Sequence, residues 1–158
     1  MTEKIHLTTL SAKWSGGFTG RGTLEVRHLA TSFGLPKEFL GSGTDTTPED
    51  LLLAAVAGCF LVTFGIILEK AGVAYDSLTM NAELITEVGP PAAIREVVLR
   101  PKIVSAADPA LIRRLADRVD DFCVIRRALN DSVRKTVHLE YENKQTADIG
   151  LHKHEEFV

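Results

Sequence analysis

Two cysteines are the residues of this sequence best suited to covalent chemistry. Cys59 lies in the middle of an uncharged stretch, Leu51 to Leu68, and Cys123 follows at the end of an amphipathic segment. A buried free cysteine most often acts as a small hydrophobic residue, and an apolar environment raises the pKa of its thiol. Either thiol therefore stays inert unless a cation stands close, and the cysteines alone leave a structural and a redox role open.

The number and spacing of the cysteines also indicate the compartment. Two cysteines are too few for a disulfide scaffold and lack the short spacing of a zinc site, so they are typical of intracellular thiols. Glu3 and Lys4 precede an alternating segment and not an apolar signal core. We therefore expect a cytoplasmic protein.

The histidines near the end of the sequence are the other group that could bind a ligand. His152 and His154 have the His-x-His spacing of a metal site, with Glu155 and Glu156 beside them. Terminal polar residues are usually unpacked, and no cysteine or third histidine lies nearby in sequence. The sequence predicts no metal site and no cofactor.

The long uncharged stretch predicts the helix that positions Cys59. Thr47 offers an N-cap, Pro48 a first helical residue and Gly72 a stop, so the helix should run to about Ala71. It is apolar all round and about 36 Å long, which is typical of a buried central helix and close to the minimum for a membrane span. Soluble, strand-like sequence on both sides argues against the membrane. A second copy could cover the exposed sides, so we expect a homodimer, with a fully wrapped monomer as the alternative.

The flanking segments predict an α+β fold with the element order β-β-α-β-β-α-α-β. We predict one hairpin before the helix, a loop over residues 29–47, a second hairpin after the helix, then two helices and a last strand. The predicted bounds are Ile5 to Trp14, Phe18 to Arg27, Leu78 to Leu84, Ile94 to Val104, a helix from Asp108 to Cys123, a short helix to Leu129, and Ser132 to Tyr141.

Length and composition are those of one globular domain. The chain has 158 residues, 45% hydrophobic and 25% charged, with a net charge of -3. This favours a single domain over residues 1–158, with a polar tail from about residue 143. The slight acidity argues against nucleic acid or an anionic membrane as the main partner.

The segment around Cys59 resembles the signature of the osmotically inducible protein C and organic hydroperoxide resistance family. In that family Asn-Pro-Glu is followed by an Ala-rich helix and Ala-Cys-Phe, and here Thr47-Pro48-Glu49 leads to Gly58-Cys59-Phe60. The Gly-rich loop over residues 36–47 and the position of Cys123 are also similar. The sequence after Cys123 departs from the family's Cys-Pro-x-Ser, since Val124, Ile125, Arg126 and Arg127 follow it.

The resemblance implies an intertwined homodimer that reduces organic hydroperoxides, alkyl or fatty acid, with a role in stress and detoxification. It implies that Cys59 is the peroxidatic thiol, Cys123 the resolving thiol and Glu49 the carboxylate that orients an arginine. It also implies an external dithiol as reductant, a lipoylated protein or another thiol. Glu49 and Cys59 lie about 15 Å apart along a helix, too far to touch, so Glu49 is expected to serve the Cys59 of the opposite chain.

Two questions stay open at the level of sequence. The activating arginine is not fixed by a motif: Arg21, between two glycines, is the first choice, and Arg27 and Arg126 are alternatives. The function has an alternative as well. A non-catalytic dimer could bind a hydrophobic small molecule in the interface cleft, with both cysteines incidental.

Overall fold

A computed structural model describes residues 5–144, so the predicted polar tail falls almost entirely outside the described residues. The chain divides into two compact units, Met1–Leu52 and Leu53–Val158. The single-domain organisation stays a prediction, and the two units are described in turn.

The first unit is built around a three-stranded antiparallel sheet. Its strands are β1 (Ser11–Ser15), β2 (Arg21–Val26) and β3 (Leu29–Phe33), in that spatial order. A short 3-10 helix follows at Lys37–Phe39. The predicted N-terminal hairpin is therefore confirmed as β1 and β2, although β1 begins later than expected.

The third strand is a correction, because Leu29–Phe33 belongs to the segment that we predicted as a loop. Only two residues, Arg27 and His28, connect β2 to β3, and Arg27 adopts a positive φ of 50°. Two-residue hairpins need this conformation and usually show it through Asn-Gly or Asp-Gly. Here an arginine adopts it, so the sequence carried no turn signal.

Helix α1 (Pro48–Lys70) begins and ends as predicted. The Thr47 hydroxyl accepts from the Asp50 amide at 3.1 Å, and the Asp50 carboxylate accepts from the Thr47 amide at 2.9 Å. This reciprocal pair caps two otherwise unsatisfied backbone donors. Gly72, at a φ of 67°, follows the last turn and ends the helix.

The second unit continues α1 with a four-stranded sheet and three short helices. Strands β4 (Ser77–Glu87) and β5 (Ala93–Ser105) form the predicted antiparallel hairpin. The following helices are α2 (Pro109–Asp117), α3 (Val119–Phe122) and α4 (Val124–Ala128). The single helix predicted from Asp108 to Cys123 is thus wrong in its continuity, since the chain divides into α2 and α3.

The last predicted strand also divides in two, into β6 (Arg134–Val137) and β7 (Glu140–Asn143), and both lie parallel to β5. Strand β6 pairs with residues 96–99 of β5, and β7 pairs with residues 102–105. Pro101 lies between these stretches and has no amide hydrogen to donate. The ladder is therefore interrupted there.

Within the second unit, α1 buries one face in the core and leaves the other exposed. The buried side chains of α1 and of the sheet together form the core of the unit, with Val56, Phe60, Phe64, Ile67, Leu68, Val97, Leu99 and Ile103. On the opposite face, Val62 is 64% exposed and Ile66 46% exposed. Among the described residues, α1 is the one helix long and apolar enough to cross a membrane by length and composition.

Candidate active site

The structure brings the two cysteines together in the second unit. Cys59 lies on the flank of α1, half-buried, between the buried and the exposed face of the helix. Cys123 is fully buried between α3 and α4. The side chains of Cys59 and Cys123 are hydrogen-bonded to each other, and both are free thiols.

The environment shifts the pKa values of the two thiols in opposite directions. Burial by itself raises the pKa of Cys59, but hydrogen bonds from Cys123, from the Ile125 and Val124 amides and from the Thr63 hydroxyl bring that pKa below its usual value. Burial, together with the hydrogen bond to Cys59, raises the pKa of Cys123 to about 11. Cys59 is therefore the thiol that ionises first, and Cys123 keeps its proton and donates it to the Cys59 sulfur.

The backbone at Cys123 explains how amide groups reach Cys59. Cys123 adopts an extended conformation, with φ -74° and ψ 95°, which ends α3 and starts α4. The first amides of α4, those of Val124 and Ile125, then donate to the Cys59 sulfur. Unpaired amides at the start of a helix stabilise an anion. The segment Val124-Ile125 therefore supplies donors without the proline and serine typical of the resembled family.

Thr63 is a fourth donor to Cys59, and it lies on the same helix. Residues four apart on an α-helix are neighbours on its surface. The Thr63 hydroxyl accordingly donates to the Cys59 sulfur. Thr63 was not among the residues predicted for the site, although its spacing of four from Cys59 is a signal that could identify it.

Arg126 is the arginine that the second unit places near the cysteine pair. Its side chain is 3% exposed, forms an ion pair with Asp120 and donates to the Lys135 carbonyl at 3.4 Å. The guanidinium also stands 5.8 Å from the centroid of the Phe60 ring. Its positive charge acts to lower the pKa of Cys123, against the stronger effect of burial.

In the first unit, Arg21 is bound by a residue that sequence analysis did not select. Its guanidinium lies 2.7 Å from the Asp45 carboxylate and donates to the Ser32 hydroxyl at 3.1 Å. The Asp45 side chain is 4% exposed, whereas that of Arg21 is 68% exposed. The buried carboxylate of Asp45 thus binds Arg21, and much of the Arg21 side chain stays exposed to solvent. Asp45 lies in a loop rich in Gly, Ser and Thr, and no motif in that loop predicts that it binds an arginine.

The remaining predicted residues are placed as follows. Arg27 contacts the ring of His6 at 3.1 Å in the first unit. One carboxylate oxygen of Glu49, Oε2, is buried, and no group within residues 5–144 donates a hydrogen bond to it. The expected pairing of Glu49 with Arg21 is therefore not formed in the single chain, where Asp45 takes that place. The predicted role of Glu49, which is to orient an arginine, stays a prediction.

In the described part of the chain, no three histidine, cysteine or carboxylate side chains come together as metal ligands would. His152 and His154 lie outside the described residues. The site so far is a thiol pair with hydrogen-bond donors, an arrangement suited to nucleophilic and redox chemistry.

Comparison with known proteins identifies a family and several relatives. The family model described as OsmC-like protein matches residues 41–138. A relative from Bacillus subtilis, the uncharacterized protein YmaD, is 33% identical over 134 residues, covering 81% of this chain and 89% of the relative. An organic hydroperoxide resistance protein from Xanthomonas axonopodis pv. citri is 29% identical over 143 residues, covering 87% of this chain and 96% of the relative.

Solved structures share the fold. The crystal structure of an OsmC like protein from Mycoplasma pneumoniae superposes with a TM-score of 0.73 at 19% identity, covering 89% of this chain and 99% of that one. The α+β architecture predicted from the sequence is thereby confirmed.

Proposed function

The chain belongs to the OsmC-like protein family, and we propose that it is a thiol-dependent peroxidase that reduces organic hydroperoxides to alcohols. Relatives named organic hydroperoxide resistance protein support a stress-related role in resistance to these compounds. The observation that carries the proposal is the hydrogen-bonded pair of Cys59 and Cys123, with the pKa of one thiol lowered and that of the other raised.

In the proposed reaction the Cys59 thiolate attacks the terminal oxygen of the hydroperoxide. The O–O bond breaks, the alkoxide takes up a proton and leaves as an alcohol, and Cys59 becomes a sulfenic acid. The Cys123 sulfur then attacks the Cys59 sulfur, a disulfide forms, and the hydroxyl leaves as water with the Cys123 proton. The thiol pair has lost two electrons and the peroxide has gained them.

An external dithiol, a lipoylated protein or another thiol, completes the cycle by reducing the disulfide through thiol exchange. We place this cycle in the cytoplasm, where thiols are kept reduced. The hydrogen bond between the two sulfurs in the reduced state supports the disulfide step, because it keeps the resolving thiol next to the sulfenic acid.

Charged groups complete the proposed site. An arginine, with Arg21 as our first assignment, would face the thiolate and the departing oxygen. Its open guanidinium, held by Asp45, supports that role. Arg126 is fully engaged with Asp120 and Phe60, so we assign it to positioning α4. Glu49 would orient the arginine in the assembled dimer.

We propose that the active form is a homodimer with the exposed face of α1 in its interface. Val62 and Ile66 present apolar surface there, beside the small exposed residues Ala54, Ala55 and Gly58. A Cβ added at Gly58 would meet nothing within 4 Å in this chain. Glycine inside a helix is unfavourable by about 1 kcal/mol relative to alanine. Close approach of a second helix would explain why a glycine is placed there.

The decisive experiment counts thiols before and after one equivalent of an alkyl hydroperoxide. We expect the reduced chain to lose both thiols and a mass of two hydrogens, with one alcohol formed per chain. Cys59→Ser should consume no peroxide, whereas Cys123→Ser should complete one turnover and stop at a sulfenic or over-oxidised Cys59. A non-catalytic protein that binds a hydrophobic ligand would instead keep both thiols and leave the peroxide intact.

A further inference from the structure

Arg126 is a buried charge in the second unit, three residues after Cys123. Its side chain is 3% exposed, and its partner Asp120 is 57% exposed. Moving an arginine out of water costs free energy, which an ion pair with an exposed carboxylate offsets only in part. A hydrophobic side chain of similar volume would anchor α4 without that cost. The charge of Arg126 therefore calls for a role of its own.

The Arg126 guanidinium is fixed by contacts with three other elements. It forms an ion pair with Asp120 of α3 and donates to the backbone carbonyl of Lys135 in β6 at 3.4 Å. Its third contact is the Phe60 ring of α1, whose centroid lies 5.8 Å away. Phe60 directly follows Cys59 in the chain. A planar guanidinium suits this arrangement, since it donates in several directions and packs on an aromatic face. The positive charge is thus held at the elements that carry the two cysteines.

This charge acts on the resolving thiol of the proposed reaction. The guanidinium and the backbone amide of Arg126 both act to lower the pKa of Cys123. Burial and the hydrogen bond to Cys59 act in the opposite direction, and they raise the pKa of Cys123 to about 11. The groups that lower the pKa of Cys59 are different ones, namely Cys123, Thr63 and two backbone amides.

Oxidation of Cys59 removes part of the opposing effect. In the reduced pair, the hydrogen bond to Cys59 and its negative charge both raise the pKa of Cys123. In a sulfenic acid the Cys59 sulfur carries a hydroxyl and no negative charge, whereas the charge of Arg126 stays where it is. The pKa of Cys123 should therefore fall at the stage of the cycle at which Cys123 has to attack as a thiolate.

From these contacts we propose that Arg126 is a positioning residue for the disulfide step, which holds the Cys123 segment and stabilises Cys123 as a thiolate once Cys59 is oxidised. The inference deepens the proposed function and rests on it for the place of this step in the cycle. In the step itself the Cys123 thiolate attacks the Cys59 sulfur and the S–O bond breaks. The hydroxide that leaves takes up the proton that Cys123 has lost and becomes water.

Other charged groups surround Arg126. It lines a pocket of about 520 Å³ together with two cations and two carboxylates, which are Arg113, Lys135, Asp117 and Asp120. The formal charges of these four groups cancel, so the pocket keeps the positive charge of Arg126. Cys59 and Arg126 are the ionisable groups that act most on the pKa of Cys123. A change in the titration of Cys123 therefore reports first on these two groups.

The test follows disulfide formation with a reagent that requires no peroxidase activity. One equivalent of methyl methanethiosulfonate is added to the reduced protein. The Cys59 thiolate attacks the sulfur that bears the methyl group, methanesulfinate leaves, and Cys59 carries a thiomethyl group. The Cys123 thiolate then attacks the Cys59 sulfur, methanethiol leaves, and the disulfide forms. Acid quenching and mass spectrometry give the rate of this second step at each pH.

We expect the rate of the second step to rise with pH to a plateau, with a midpoint set by Cys123. Arg126→Gln should move that midpoint to higher pH by about one unit and slow the step at neutral pH by about tenfold, since one pKa unit is a tenfold change in thiolate. The rates of the two proteins should converge at alkaline pH. Arg126→Lys keeps the charge without the planar fork and should recover most of the midpoint.

Asp120→Asn tests the charge without removing the buried arginine. The Asp120 side chain is largely exposed, so we expect this variant to fold. Loss of the negative partner strengthens the effect of Arg126 on Cys123, so the midpoint should move to lower pH and the step should be about twofold faster at neutral pH. If the ion pair served only to hold α4, the step would instead be slower at every pH.

The matched control is Arg127→Gln, which removes the same charge one residue further on. Arg127 is exposed and donates to the Asp121 carbonyl at 3.5 Å. The midpoint of this variant should equal that of the unaltered protein. An unchanged midpoint in Arg126→Gln, or an equal displacement in Arg127→Gln, would overturn the inference. Absence of the disulfide in the unaltered protein would also overturn it.

Two further outcomes are decisive. If Arg126→Gln does not fold, Asp120→Asn decides alone, and a midpoint that stays or moves to higher pH overturns the inference. If the midpoints move as expected but cumene hydroperoxide is not reduced, the proposed function fails and the effect of Arg126 on disulfide formation is supported. If cumene hydroperoxide is reduced and the midpoints do not move, the proposed function stands and the inference fails.

Discussion

The Cys123 thiol donates a hydrogen bond to the Cys59 sulfur, and the pKa values of the two groups move in opposite directions. Cys59 is therefore the thiol of the pair that ionises at lower pH, and Cys123 is the one that keeps its proton. In the proposed reaction this order gives the attack on the hydroperoxide to Cys59 and keeps Cys123 protonated until a sulfenic acid forms beside it. The resemblance implies the same division of roles, which stays a prediction.

The opposite pKa displacements predict a distinct pH dependence of alkylation. The lowered pKa of Cys59 shifts its thiolate to lower pH, so iodoacetamide should label it with a midpoint below that of an ordinary thiol. Cys123 should stay unlabelled until the pH approaches about 11. Peptide mass spectrometry after labelling across a pH series measures both.

Two controls make that experiment decisive. In urea both thiols should react alike, because the hydrogen bonds and the burial are gone. In Cys123→Ala the midpoint for Cys59 should move to higher pH, because one donor to its sulfur is lost. Labelling of Cys123 before Cys59 in the folded chain would reverse the assignment of the two thiols.

Thr63→Val should slow the reaction with hydroperoxide at neutral pH by about fivefold, the effect of losing one hydrogen bond of about 1 kcal/mol. Valine keeps the branched shape but cannot donate to the Cys59 sulfur. The pKa of Cys59 should therefore rise, and the thiolate fraction at neutral pH should fall. Stopped-flow rates across a pH series measure the displacement of the profile.

The matched variant is Thr63→Ser, which keeps a hydroxyl at the same position. Thr63→Ser should show the pH profile of the unaltered protein. The rate of Thr63→Val should approach that of the unaltered protein at alkaline pH, where Cys59 is fully ionised. A loss of rate that is the same at every pH would instead indicate that Thr63 acts only through packing.

The sequence predicted the bounds of helix α1 more accurately than those of the strands around it. Helix α1 was predicted almost to the residue because its limits are local: the Thr47 and Asp50 cap at one end and Gly72 at the other. Strand β3 and the interruption opposite Pro101 depend on a turn without its usual residues and on pairing with a distant strand. Neither has a local signal.

The site was predictable to a similar extent. The identities of Cys59 and Cys123 followed from the resemblance, and their contact depends on the fold of the second unit. The donors from Val124 and Ile125 are backbone groups, which no side-chain pattern reveals. Asp45 binds Arg21 through long-range packing of a loop. The sequence therefore pointed to the two cysteines and not to most of the groups that contact Cys59 and Arg21.

Gly58→Leu should convert the proposed dimer to a folded monomer. A side chain at this position meets nothing within 4 Å in the single chain, and leucine favours the helix by several tenths of a kcal/mol over glycine. The monomer should therefore keep its secondary structure. In the dimer the new side chain would separate the helices. Light scattering after size exclusion gives the mass, and circular dichroism gives the fold.

Gly89→Leu is the matched control, since a Cβ there also meets nothing within 4 Å and the residue lies in the connection between β4 and β5 and not on α1. It should leave the dimer intact. A Gly58→Leu protein with the same mass as the unaltered one would remove the exposed face of α1 from the interface.

The final prediction tests whether the proposed dimer shares its active sites between chains. The helix α1 is continuous from Pro48 to Lys70, and Glu49 and Cys59 lie ten residues apart on it. This separation, about 15 Å along the axis, prevents Glu49 from reaching the thiol of its own helix. Its oxygen Oε2 is buried and receives no hydrogen bond from any group within residues 5–144. We expect that oxygen to accept from an arginine once the dimer forms.

Cys59→Ser and Glu49→Ala chains should therefore each be inactive alone and regain activity when mixed. In a heterodimer, one of the two sites combines an intact Cys59 with an intact Glu49 from the opposite chain, and the other site lacks both. Heterodimers isolated with two different affinity tags should show about half the activity of the unaltered dimer per dimer, because one of two equivalent sites is restored. Absence of recovery in verified heterodimers would mean that Glu49 serves its own chain.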